Sequence, residues 1–163
     1  MNQISIGKTI PYFEALATGD KTIKLTDYRD RYVIIYFYPK DNTPGCTLEG
    51  QDFRDKSEKF SALNAIIFGV SRDTIQMHER FKCKQEFPFD LLSDEDEKLC
   101  QIFDVIKMKS MYGKQVRGIE RSTFLINPQG LLLKEWRKVK VKNHAETVLA
   151  ALIEADQNNL ISK

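Results

Sequence analysis

Cys46 closes the run Pro39-Lys40-Asp41-Asn42-Thr43-Pro44-Gly45-Cys46, which directly follows the most apolar segment of the chain, Tyr32 to Tyr38. A cysteine is nucleophilic only as its thiolate, so reactivity at this position depends on what favours the anion. Thr43 and Pro44 are the residue types preferred at a helix N-cap and at the first helical position, which puts Cys46 third in a helix. Backbone N–H groups there have no intrahelical partner. Together with the helix dipole they stabilise negative charge, so the spacing predicts a thiol that ionises more readily than an ordinary cysteine, whose pKa is about 8.5. At helical spacing Cys46, Gly50, Phe53, Ser57 and Phe60 share one face, which turns the sulfur towards the protein body and into a shallow pocket. The same place equally suits a small buried hydrophobe, and position alone leaves both readings open.

The other two cysteines are in different situations. Cys100 lies one turn before Phe103 on an apolar face and is expected in the core. Cys83 lies in a helical stretch, Thr74 to Glu86, whose apolar side is carried by Met77 and Phe81; at 100° per residue it is rotated about 200° from Phe81. Its helical neighbours are Glu79, Arg80 and Glu86, so it is expected to be accessible, either as a partner for thiol exchange or by chance on a solvated face. No C-x-x-C pair occurs, which excludes a zinc ribbon and a thioredoxin-type dithiol. His78 and His144 read as surface or capping histidines rather than as ligands or bases.

The elements that must position these residues form an α/β pattern. Tyr32 to Tyr38 and Ala65 to Ser71 are β-branched, aromatic and without polar alternation, as strands buried on both faces are. A helical stretch from about Pro44 to Phe60 joins them, which makes a βαβ unit with parallel strands. Further helices are expected at Thr74 to Glu86, Asp94 to Phe103 and Asn143 to Ala155, the last with Val148, Leu149, Leu152 and Ile153 on its apolar side. Arg121 to Ile126 and Leu131 to Trp136 flank the turn Asn127-Pro128-Gln129-Gly130 as a hairpin, and Thr18-Gly19-Asp20-Lys21 marks an N-terminal hairpin at the sheet edge. The sum is a central mixed sheet flanked by helices.

Composition narrows the classes of function. A chain of 163 residues matches one domain at about 150 residues each. The 42% hydrophobic and 29% charged residues are ordinary for a globular protein, and the longest apolar run is far short of a membrane span. Basic residues exceed acidic ones by 25 to 23, which sets up no field for nucleic acid or an anionic membrane. The basic stretch Lys134 to Lys142, interleaved with Trp136, Val139 and Val141, reads as an exposed strand end. An odd number of cysteines and a start without a charged segment followed by an apolar one predict a cytoplasmic, reducing setting.

The run Pro39 to Cys46 fits the P-x-x-x-T-x-x-C signature of the peroxiredoxins, thiol peroxidases with a thioredoxin-like fold, and the chain resembles that family. Thr47-Leu48-Glu49, Phe53-Arg54-Asp55, Met111-Tyr112-Gly113-Lys114 and Gly118 to Ile126 are similar to the Q-type subgroup, also called bacterioferritin comigratory proteins. The resemblance spans about residues 3–155, a single domain. It implies Cys46 as the peroxidatic cysteine, Thr43 as the hydroxyl holding the peroxide, Pro39 as a shield over the sulfur and Arg121 as the guanidinium beside it. Glu49 would orient Arg121 or a neighbouring arginine; its alternative is a plain surface ion pair. Many members carry a resolving cysteine five residues after the peroxidatic one, where this chain has Gln51. Others carry it on the following helix, where Cys83 is the candidate, displaced by one residue from the family position occupied here by Lys82. That displacement turns the thiol by about 100°.

The resemblance further implies peroxide substrates and a thioredoxin or similar thiol reductant. No haem or metal is needed, no nucleic acid or membrane is engaged, and the chain is expected to act as a monomer. Two alternatives stand beside this reading. One is a redox-sensing or binding protein switched by oxidation of Cys46 with little turnover. The other is a thiol-disulfide oxidoreductase, against which Thr43 occupies the place of the first cysteine of a C-x-x-C.

Overall fold

Apolar runs and turn residues set out nine strands and five α-helices among residues 4–161, which the computed structural model describes. An N-terminal hairpin, β1 (Glu14–Ala17) and β2 (Lys21–Lys24), turns through Gly19 and Asp20, both at positive φ. A 3₁₀ turn, Leu25–Tyr28, leads to β3 (Tyr32–Phe37), all six residues of which are buried. Next come α1 (Pro44–Asp55), α2 (Ser57–Ala62) and β4 (Ala65–Ser71). They are followed by α3 (Ile75–Gln85), β5 (Asp90–Ser93), α4 (Lys98–Phe103), β6 (Ile106–Met111) and β7 (Lys114–Ile119). The chain continues through β8 (Ser122–Ile126), β9 (Leu132–Trp136) and α5 (His144–Ile161).

Seven strands form one sheet in the order β2-β1-β5-β4-β3-β8-β9, and β6 and β7 pair separately. β3, β4 and β5 run parallel, while β1 and β8 join them antiparallel, so the expected mixed sheet with an edge hairpin holds. Strand alternation sends β3 side chains to both faces. Val33, Ile35 and Phe37 pack with α4 residues Leu99, Cys100 and Phe103. Ile34, Tyr36 and Tyr38 pack with Phe53, Phe60 and Phe81 of α1, α2 and α3, and with Leu152 of α5. Tyr36 stacks on Phe53 with centroids 4.7 Å apart, which fixes α1 against the strand that leads into it.

Several expectations are corrected. The single helix Pro44 to Phe60 breaks at Lys56, so Ser57 does not continue the Cys46 face. The helix expected from Asp94 starts at Lys98, because Asp94 is buried and its carboxylate accepts from the N–H groups of Leu99 and Cys100. β5 and the β6–β7 hairpin were not expected from apolar pattern: β5 is four residues long, and β6 and β7 bury almost nothing. That hairpin turns through Tyr112 and Gly113, both at positive φ, and is tied down by Arg117 donating to Glu97. Ile153 is exposed, and Ala145 and Ala151 complete the apolar side of α5. Regular strand ends at Trp136, so the basic stretch onward to Lys142 is irregular. Of the matched span 3–155, residue 3 lies outside the described residues.

Candidate active site

The loop after β3 delivers Cys46 to the carboxyl edge of the parallel strands. Tyr38 still donates its N–H to Val70, and the chain then turns through Asn42 at φ 64°. Thr43 is extended at φ −86° and ψ 153°, and its carbonyl accepts from Thr47, so it is the N-cap residue and Cys46 the third helical one, as the residue types predict. Its hydroxyl, however, donates to the Lys40 carbonyl at 2.7 Å and closes the loop instead of capping an N–H. Among the described residues no side chain therefore caps the first-turn amides of α1. Cys46 is 2% exposed and faces the body with Glu49, Gly50 and Phe53. Pro39 is half-buried at the start of the loop.

Strand register brings in Arg121. β8 pairs antiparallel with β3, and Phe37 opposite Ser122 leaves Arg121 just beyond the end of β3, beside the loop that carries Cys46. Its Nη2 donates to Cys46 Sγ at 3.4 Å and its Nη1 to Glu49 Oε1 at 2.6 Å. Glu49 follows Cys46 by three residues and so lies on the same helix face. It is buried, which corrects the surface ion-pair alternative. Burial pushes the Glu49 carboxyl up to about 7, with Arg121 acting in the opposite direction. Burial pulls Arg121 down, but the charges of Glu49 and Cys46 more than offset this and leave the guanidinium above its ordinary value. Glu49 Oε2 and the Tyr36 hydroxyl are buried without a protein partner among the described residues. A Cβ at Gly45 would lie 3.2 Å from Arg121 Nη2, so glycine there lets the guanidinium cover the helix start.

A second polar group lies behind the loop, and sequence reading missed it. Asp41 is buried; it accepts from the Tyr38 hydroxyl at 2.6 Å and meets His78 Nδ1 at 2.7 Å, and its own N–H donates to Asp73 at 2.9 Å. His78 is not at the surface. It is fully buried on α3, with Nε2 bonded to the Leu92 carbonyl. Asp41, Asp73 and His78 present ligand-type atoms within 4.8 Å of one another, all engaged in these hydrogen bonds. His144 heads α5 but is buried too, sharing a hydrogen bond with Thr123 Oγ1, and burial followed by the Arg121 charge lowers its pKa to about 4. Lys109 on β6 donates to the Ile119 carbonyl and feels Arg121. Nothing in local periodicity marks these residues, because each is placed by a partner far away in the chain.

All three cysteines are free. Cys100 is fully buried, and burial with the adjacent Asp94 pushes its thiol strongly up, so it stays protonated and packs as core. Cys83 is exposed on α3 while Cys46 is buried, and the two are not bonded to each other. The end of α3 is tied to α1 by Gln51 donating to the Gln85 side chain at 2.9 Å and Arg54 to the Gln85 carbonyl at 2.8 Å.

Residues 6–134 match the AhpC/TSA family. The chain is 52% identical over 149 residues to Peroxiredoxin Bcp of Bacillus subtilis, covering 91% of this chain and 95% of that protein. It is 55% identical over 138 residues to Peroxiredoxin Bcp of Xanthomonas campestris, covering 85% and 86%. Among solved structures, peroxiredoxin Q of Xanthomonas campestris superposes with a TM-score of 0.86 at 49% identity, covering 94% of this chain and 97% of that one. A PrxQ mutant of Xylella fastidiosa gives 0.89 at 45% identity, covering 93% and 97%. The sheet and helices are therefore those of a thioredoxin-like fold, and the chain belongs to the AhpC/TSA family as a Q-type peroxiredoxin, a thiol peroxidase.

Proposed function

We propose that this peroxidase reduces hydrogen peroxide and organic hydroperoxides at Cys46. The observation that carries the assignment is Arg121 bridging Cys46 Sγ and the buried Glu49. The Cys46 thiolate attacks the terminal peroxide oxygen and the O–O bond breaks. Sulfur keeps that oxygen as a sulfenic acid, and the departing hydroxide or alkoxide takes up a proton and leaves as water or alcohol. Negative charge moves from sulfur to the leaving oxygen, so donors at that second oxygen act most strongly as the bond breaks. Arg121 and the uncapped α1 amides are suited to that role, and the planar, always charged guanidinium does not give up a proton. Thr43 accepts from the peroxide O–H, with Pro39 shielding the sulfur. An alkyl peroxide reduction activity is described for the Xanthomonas campestris bacterioferritin comigratory protein, which supports organic substrates here.

Recycling proceeds through a Cys46–Cys83 disulfide that a thioredoxin-like thiol reduces; the exposure of Cys83 supports it. One domain over residues 3–155 acts as a cytoplasmic monomer, without nucleic acid or membrane. A net charge of +2 sets up no strong field for a nucleic acid backbone, and among the described residues no helix is long and apolar enough to cross a membrane. Membership of a peroxidase family favours turnover over a sensor or a thiol-disulfide oxidoreductase. Cys46→Ser tests the assignment by stopped-flow with peroxide. The variant is expected to lose the reaction, since a serine hydroxyl stays protonated here and is a far weaker nucleophile. Retained peroxide consumption would place the chemistry elsewhere.

A further inference from the structure

The loop that carries Thr43 and the helix that carries Cys83 meet in one buried contact. Asp41 lies two residues before Thr43, and His78 lies on α3 five residues before Cys83. Their atoms Oδ2 and Nδ1 are 2.7 Å apart, and both side chains are wholly buried. Nε2 of the same ring is 2.9 Å from the Leu92 carbonyl, which can only accept, so Nε2 carries a hydrogen. Asp41 Oδ1 accepts from the Tyr38 hydroxyl. One proton between Nδ1 and Oδ2 then completes the set, and every polar atom of the pair is satisfied. The contact is anchored on both sides in the sheet, at Tyr38 beyond β3 and at Leu92 in β5.

A disulfide needs Cα atoms about 4.4–6.8 Å apart with their side chains facing each other. Cys46 is buried under Arg121 and Cys83 faces solvent, so both segments must shift for the sulfurs to meet. The Gln85 bonds to Gln51 and Arg54 are only part-buried and can be replaced by water, whereas parting Asp41 from His78 strands buried polar atoms. We propose that the Asp41–His78 contact is the latch of the resolving step, so that the Cys46 loop and α3 open together when it parts. This rests on the reading of Cys83 as the resolving thiol. In that step the Cys83 thiolate attacks the Cys46 sulfenic sulfur; the S–S bond forms, the S–O bond breaks, and hydroxide takes up a proton and leaves as water. Asp41 and His78 are positioning residues that act through the segments they hold.

Full-length protein treated with one equivalent of hydrogen peroxide, quenched at intervals with an alkylating reagent and mapped by mass spectrometry, gives the rate of disulfide formation. Asp41→Ala strands the imidazole and the Tyr38 hydroxyl and is expected to speed disulfide formation about fivefold or more, with less sulfinic acid at excess peroxide. Asp41→Asn can donate an amide N–H to a neutral imidazole while still accepting from Tyr38, and is expected to stay within about twofold of wild type. Leu132→Ala, in the core on the opposite face of the sheet, controls for general destabilisation and should leave the rate unchanged. Equal acceleration in the asparagine or leucine variant, or a wild-type rate in Asp41→Ala, overturns the latch. Absence of the disulfide in wild type overturns the Cys83 reading and the latch with it. Should Asp41→Ala not fold, amide exchange of the reduced wild type decides: residues 40–46 and 78–86 open at one common rate, and two unrelated rates overturn the proposal.

Discussion

Glu49 and Arg121, 72 residues apart in sequence, are joined by a 2.6 Å hydrogen bond that leaves the second guanidinium nitrogen 3.4 Å from the Cys46 sulfur. Glu49→Gln keeps an acceptor for Arg121 but removes its charge, and is expected to slow the peroxide reaction less than Glu49→Ala does. Stopped-flow rate constants for both variants check this; equal losses would assign the effect to the charge alone.

The same carboxyl makes stability depend on pH. Its pKa is raised from 4.5 to about 7, so the folded state favours the neutral acid. The stability this supplies is fully present below the unfolded value of 4.5 and is lost as pH rises through about 7. Relative to the parent, Glu49→Gln should therefore gain in melting temperature as pH rises through that window. A constant difference between the two melting curves would contradict the burial-driven shift.

His144 acts in the opposite sense. Its pKa is lowered from 6.5 to about 4, so its contribution is present above 6.5 and is lost as pH falls through about 4. Acidification across that interval should destabilise the parent by on the order of 3 kcal/mol through this residue. His144→Gln, which can still bond Thr123, should remove that part of the slope in denaturant titrations. An identical slope in both proteins would assign acid sensitivity to other groups.

Arg121→Ala is expected to lower the rate with peroxide by about 10²-fold while the fold persists, as removal of one transition-state donor does. Gly45→Ala approaches the same guanidinium from the helix side. Its Cβ at 3.2 Å from Nη2 must displace Arg121 by a few tenths of an ångström, so a smaller loss in the same direction is expected. Circular dichroism and peroxide kinetics together check both; an unchanged rate in Arg121→Ala makes the residue structural.

Thr43→Val tests the proposed role of the hydroxyl in holding the oxygen substrate rather than the sulfur. Peroxide reaction is expected to slow more than alkylation of Cys46 by iodoacetamide. Because the hydroxyl also closes the loop onto Lys40, equal losses in the two assays would reduce Thr43 to a loop-closing role.

Local chemistry determined a good part of this molecule. The unbroken apolar, β-branched and aromatic runs Tyr32 to Tyr38 and Ala65 to Ser71 read as strands covered on both faces, and they are the centre of the sheet. Thr43 and Pro44 set the helix start that puts Cys46 at its third position, and the apolar neighbours of Cys100 sent it to the core. Periodicity also placed Cys83 on the solvated side of α3. Tertiary structure alone decided the rest. Arg121 meets Cys46 across 75 residues because β8 runs antiparallel to β3 in one particular register, a long-range pairing that no local window contains. The weakly apolar β6 and β7 are strands because they pair with each other, and their pattern does not show it. His78 and His144 are buried because Asp41 and Thr123 meet them inside the fold. A polar residue with a distant partner looks, in sequence, like any exposed one: periodicity records which face is apolar, and a satisfied buried polar group depends on a partner that only the folded chain brings within reach.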